Sequence, residues 1–123
     1  MITDIFLNET AKAINNESYS IPSHQAVGTT EITAVQATDT SISGEIGGRV
    51  AVTRSRTSNQ VEITALRTAV SVVDSVNGDS IKSTGIFDAA SDGNFLTGVA
   101  INGVTQQTSF DVEFVTTLTV NRK

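Results

Sequence analysis

The chain has 123 residues, enough for one domain around a single core, and it contains no cysteine, which excludes disulfides, thiolate metal sites and a cysteine nucleophile. Thirteen acidic residues against eight basic ones give a net charge of −5 without a run of either sign, so the basic face that nucleic-acid binding requires is missing. No apolar stretch approaches the roughly 20 residues of a membrane-spanning helix, and the first residues lack the basic region and apolar core of a signal peptide; the expectation is a soluble protein made in the cytoplasm, with no membrane partner.

Residues 3–16 read as a short helix, with Thr3 as candidate N-cap and Asp4 near the positive end of the helix dipole. Phe6, Leu7, Ala11 and Ile14 form its apolar stripe. So short a helix is marginal alone, and the stripe must dock either on a sheet or on a neighbouring subunit. Residues 1–17 are therefore set apart as an N-terminal helix or arm, and residues 18–123 as a single β domain. Removing residues 1–17 is expected to leave that domain folded and to disrupt assembly.

Pro22, the only proline, rules out a central strand position in the segment from Tyr19 to Gly28 and suggests an edge strand or an extended arm. Residues 29–48 look irregular, with a turn at Thr38–Ile42 capped by Asp39 and bends at Gly44, Gly47 and Gly48. Strands are expected at Arg49–Arg54 and Gln60–Leu66, joined through a Ser55–Asn59 turn as a hairpin. A second hairpin, Val70–Val76 with Ser80–Phe87, flanks Asn77-Gly78, the pair that tolerates the positive φ angles of a type I′ turn. Asp92-Gly93 and Asn102-Gly103 mark further turns on either side of a Phe95–Ile101 strand. From Phe110 onward the even positions run Phe110, Val112, Phe114, Thr116, Leu118, Val120, and the odd ones are mostly polar, which is a strand with one face in a core. About six to eight short strands at this spacing give an all-β fold, an antiparallel β-sandwich of jelly-roll or Ig-like type with a short N-terminal helix.

The residues that could carry chemistry are few. His24 is the only histidine, so it makes neither a triad nor a metal site by itself, and no Gly-x-Ser-x-Gly elbow exists. Asp88, Asp92 and Asn94 could converge on a calcium ion, but Asp-Gly is common turn chemistry and the alternating acidic loop signature is absent, so a plain turn is the preferred reading. No cofactor is implied, and the chain reads as a non-enzyme. Arg49, Arg54, Arg56 and Arg67 cluster around the first hairpin, where they could pair with acids of another subunit or simply line a solvated face; Asp39 and Glu45 lie close enough in sequence to pair with Arg49. Phe6, Leu7, Ile14, Pro22, Arg49, Arg54 and Arg56 are the interface candidates.

Taken in order, Val27-Gly28-Thr29-Thr30, then Thr38-Asp39-Thr40-Ser41-Ile42 with Glu45-Ile46 and Arg49, the Asn77-Gly78 hairpin, Thr84-Gly85-Ile86-Phe87-Asp88 with Gly93-Asn94-Phe95-Leu96, and the Phe110–Val120 strand, the chain resembles small structural proteins of tailed bacteriophages of the decoration, tail-fibre or collar type. The resemblance covers residues 26–121. The chain departs from it at Thr84, where an acid often stands, and at Gly47-Gly48, which insert an extra residue before Arg49. It implies a virion protein, most readily a capsid decoration or cement protein and alternatively a tail, fibre or collar protein. Such a protein forms a homo-oligomer, a trimer or larger ring, on the major capsid or tail proteins. A third reading is a ligand-binding or adhesin-like sandwich, for which aromatic stacking groups are scarce: one Tyr, five Phe and no Trp.

Overall fold

The computed structural model describes residues 2–30, 36, 38–68, 80–105 and 111–121. Among these residues one helix, α1 (Asp4–Ile14), precedes seven strands: β1 (His24–Gly28), β2 (Glu45–Ala51), β3 (Thr53–Thr57), β4 (Gln60–Arg67), β5 (Ser80–Phe87), β6 (Phe95–Thr105) and β7 (Val112–Thr119). They form two antiparallel sheets, one ordered β2-β1-β5-β6 and the other β3-β4-β7. This is the all-β, sandwich-like architecture expected from the sequence.

Burial separates the sheets into two kinds. In the three-stranded sheet β7 alternates half-buried and exposed residues along its whole length, and β4 buries Ile63, Ala65 and Arg67 while exposing Glu62 and Leu66. Only one of its faces is covered. In the four-stranded sheet consecutive residues are buried, from Gln25 to Gly28 and from Ser83 to Phe87, as happens when both faces are covered. Val27 and Ile81, with Ile46, Ile101 and Phe114, fill the space between the sheets. Ala26, Phe87 and Phe95 sit on the opposite face, where Ile42 from the preceding loop packs on them. The Phe95 ring lies across the cross-strand pair Gly85 and Gly98, and a Cβ at either glycine would come within 2.7 Å of it. Two glycines thus make room for one aromatic ring.

Several expectations change. Pro22 lies outside any strand, and the segment after it becomes β1, a central strand, because the chain resumes pairing at His24 once the proline is passed. The single strand expected over Arg49–Arg54 is two: the chain leaves one sheet at Ala51 and joins the other at Thr53. The first hairpin is tighter than its five-residue turn suggested, since Thr57 pairs with Gln60 and only Ser58 and Asn59 remain, Ser58 at φ 54°. Asn102-Gly103 do not turn; they lie inside β6, where the chain bulges opposite Lys82 so that Ile81 faces Val104 and Ser83 faces Ala100. Gly47-Gly48 are a bulge of the same kind: β2 spends Gly47, Gly48 and Arg49 opposite Ala26, with Gly47 at φ 63°. The Asn77-Gly78 hairpin and its Val70–Val76 arm lie outside the described residues.

A polar bridge joins the layers. Arg67 is fully buried, reaching from β4 into the other sheet. Its Nε donates to Gln25 Oε1 at 2.8 Å, and a terminal nitrogen donates to the Gln25 carbonyl at 2.9 Å and to the Gly48 carbonyl at 3.1 Å. With Oε1 accepting, the Gln25 amide nitrogen is left to donate, and it does so to Thr84 Oγ1 at 2.6 Å. Replacing Arg67 by Met leaves two buried acceptors of Gln25 and the part-buried Gly48 carbonyl without this donor, so the Arg67→Met variant should lose about 3 kcal/mol or more of unfolding free energy in urea titrations, with a near-unchanged transition slope.

Candidate interaction surfaces

The helical arm is stitched to the body by polar groups. Thr3 is fully buried; its N–H donates to the Leu96 carbonyl at 3.0 Å. Its hydroxyl lies 2.6 Å from the Phe95 carbonyl oxygen and 2.9 Å from that of Leu96, shares its proton with that pair, and accepts from the Phe6 N–H as the N-cap. Ile2 forms an antiparallel bridge with Thr97 on the outer edge of β6. Farther along, the buried residue of the helix is Glu9, which accepts from the Ser20 N–H at 2.6 Å and from the Lys12 ammonium at 2.7 Å.

These anchors set the rotation of the helix. At 100° per residue Leu7 and Ile14 point roughly 140–160° away from Glu9. They are 58% and 84% exposed. Of the two docking partners considered for the apolar stripe, the sheet does not receive Leu7 or Ile14. Phe6 is half-buried, and with Ala13, Tyr19, Ile21 and Pro22 it lines a shallow apolar groove of about 160 Å³ between α1 and the segment leading to β1. Because Thr3 satisfies carbonyls of β6, a chain lacking residues 1–17 would uncover them; the arm belongs to the folded body, and substitution of Leu7 and Ile14 tests its outer face better than deletion.

The four arginines do not form one cluster. Arg49 lies over the Phe87 ring, 3.5 Å from its centroid, pairs with both carboxylate oxygens of Glu45 at 2.8 and 3.2 Å, and donates to the carbonyls of Ala89 and Asp92. It is committed within the chain, to Glu45 as one of the two acids the sequence offered. Asp39 instead accepts from the Gln36 N–H, closing its own turn. Arg67 is the buried bridge. Arg54 and Arg56 stay on the exposed strand β3, donating to the carbonyls of Pro22 and Ser58.

The loop between β5 and β6 was the calcium candidate. Asp88 Oδ1 accepts from the Asn94 N–H at 2.6 Å and Oδ2 from the Asn94 side-chain amide at 2.8 Å, so these two residues hold each other and close the loop. Asp92 contributes its backbone carbonyl to Arg49 and sits at φ 53°, followed by Gly93 at φ 71°, which makes the turn. Among the described residues no three His, Cys, Asp or Glu side chains gather as a ligand set. His24 opens β1, its Nδ1 2.8 Å from the Ser23 hydroxyl.

On the side of the sandwich where β6 and β7 are the outermost strands, the two sheets part to leave an open cleft of about 450 Å³. Its floor is Thr84 and Ile86 of β5; its walls are Thr97–Val99 of β6 and five consecutive residues of β7, Val115–Thr119, with Ile2 at one end. The lining carries neither a charge nor an aromatic ring, and Thr84 connects it to the Gln25–Arg67 bridge. Sequence reasoning missed this surface because its residues read as ordinary strand composition; the signal available was the run of eight residues, Val112–Thr119, with Glu113 as the only charge.

Glu9 and Asp88 both act on Ser20, and both carboxyls are held below their ordinary values. For Glu9 the Lys12 ammonium does most, helped by the Ser20 N–H. For Asp88 burial pushes the carboxyl up, but the Asn94 N–H and the side chains of Ser20 and Asn94 outweigh it. A depressed carboxylate stabilises the fold above the unfolded-state value and ceases to do so as pH falls through the folded-state value. The urea midpoint should therefore be flat from neutral pH to about 5 and decline below the usual carboxylate range near pH 4, and Glu9→Gln with Asp88→Asn should lower the neutral-pH midpoint and flatten that decline. Comparison of the chain with protein-family models, with curated proteins and with solved structures finds no match.

Proposed function

We propose that this chain is a non-enzymatic structural component of a tailed-virus particle, a capsid decoration or cement protein that works as a homo-oligomer in contact with the major capsid protein. The observation that carries the assembly part of this reading is the outward face of α1: Leu7 and Ile14 are exposed on a helix whose rotation is fixed by buried polar anchors. A helix with its apolar side turned outward buries it against a neighbour. The virion assignment draws on the sequence resemblance, and the tail, fibre or collar position is its variant within the same class.

The geometry lends less to an adhesin-like module. The cleft between β6 and β7 offers hydroxyls and methyl groups but no ring on which a sugar could stack. His24 bonds a neighbouring serine, Glu9 is occupied in holding the arm, and Asp88 in closing the β5–β6 loop.

Quantitative mass spectrometry of purified particles from the culture that produces the chain tests the assignment through copy number relative to the major shell protein. A ratio close to that of the shell lattice is expected for decoration or cement. A ratio many-fold lower moves the protein to the tail, fibre or collar, and absence from particles overturns the virion reading.

A further inference from the structure

The two sheets have four outer strands, and three of them carry devices that discourage pairing with another chain. β2 is bulged at Gly47-Gly48. β3 bears Arg54 and Arg56. β6 is bulged opposite Lys82 and already receives Ile2 at Thr97. β7 has none of these: it runs Val112–Thr119 without Lys, Arg, Pro or Gly, matches β4 over eight consecutive pairs without a register shift, and is rich in β-branched residues. Its pairing partner among the described strands is β4 alone. Consecutive residues of β7, from both of its faces, line the open cleft, and among the described residues nothing pairs with its outer edge.

We propose that β7 is a docking edge for a second copy of this chain, pairing antiparallel with its own equivalent across a twofold axis to make one continuous six-stranded sheet. A second copy suits the edge because the strand is self-complementary. Faces are preserved only when opposed residue numbers share parity, and a pairing centred on Thr116 places Val115 opposite Thr117, Phe114 opposite Leu118, Glu113 opposite Thr119 and Asp111 opposite Asn121. No like charges meet, although each copy carries a net charge of −5. The interface is isologous and closes on itself. Val115, 53% exposed on the outer face close to the 48% exposed Leu66, gains a cross-strand neighbour.

The inference rests on the reading of this chain as a self-assembling structural protein, and it has its own test. Sedimentation velocity and light scattering of the full chain are compared with those of Val115→Lys/Thr117→Lys, which sets lysines of the two copies against each other, and of Leu7→Asp/Ile14→Asp. The parent chain is expected to dimerise, and the lysine variant to raise the dissociation constant by about tenfold or more with an unchanged circular dichroism spectrum. Should the lysine variant fail to fold, cysteine crosslinking decides: in this cysteine-free chain Val115→Cys/Thr117→Cys should form intermolecular disulfides on mild oxidation, and Ser55→Cys on the far strand β3 should not. Association that Leu7→Asp/Ile14→Asp abolishes and that the lysine pair leaves intact would overturn β7 pairing while leaving the assembly reading in place. A chain that stays monomeric at high concentration and gives no 115/117 crosslink overturns it outright.

Discussion

The guanidinium of Arg67 is the contact on which the relation between the two sheets depends. From β4 it holds the side chain and carbonyl of Gln25 on β1 and the bulged carbonyl of Gly48 on β2, and through Gln25 it orients Thr84 on β5. One side chain thereby ties its own sheet to three strands of the other. Desolvating a guanidinium costs several kcal/mol, and hydrogen bonds to well-placed carbonyls offset that cost only in one geometry. The arrangement therefore specifies more than it stabilises: a slip of β4 by one residue would put Leu66 between the sheets and send Arg67 to solvent, stranding the Gln25 and Gly48 acceptors.

The same preference for polar anchors shapes the outer layer. Arg49 over Phe87 and the Asp88–Asn94 lock hold the β5–β6 loop against the four-stranded sheet, and Ser20, gripped by Glu9 and bonded to Asp88, ties the arm to that loop. Apolar burial alone would turn the helix stripe inward. Thr3 instead meets the buried carbonyls of β6 and Glu9 the Ser20 N–H, and leaving a buried carbonyl unpaired costs about 1–3 kcal/mol, comparable to what burying Leu7 would gain. The helix settles with its polar anchors in and two large aliphatic side chains out.

What could be read from the sequence follows this layering. The alternation of β7 and the inward set Val61, Ile63, Ala65 of β4 are legible because their sheet is covered on one face, and the period-2 pattern survives. β1 and β5 lie in the sheet covered on both faces, where Gln25, Ser83, Thr84 and Thr97 are buried beside aliphatics and no pattern distinguishes them. β5 was nonetheless placed by the turn residues before it, and the Asp92-Gly93 turn by its chemistry. Asn102-Gly103 carry the same residue chemistry yet sit in a bulge of β6 with neither residue at positive φ, so the pair alone does not decide between turn and strand. Ile42, Arg67 and the rotation of α1 were beyond reach: each is decided by a partner distant in the chain, Phe87 and Phe95 for Ile42, Gln25 for Arg67, Leu96 and Ser20 for the helix.

Charge placement links the interior to the surfaces. With an excess of acids, copies of this chain repel over about 8 Å at physiological ionic strength, so the proposed self-contact would have to form where charge is sparse. The arginines that could have offered cationic contacts are largely spent internally, Arg49 on Glu45 and loop carbonyls, Arg67 between the sheets, Arg54 and Arg56 on nearby carbonyls. Two described regions stand out: the outward face of α1, with Leu7 and Ile14 exposed, and the β7 edge, whose cleft has no charged lining residue. The first is apolar and lacks backbone groups to pair; the second presents a regular row of donors and acceptors between methyl-bearing side chains. They lie on different elements, so in the proposed assembly one chain would engage two neighbours at once, and individually weak contacts would add up through effective concentration.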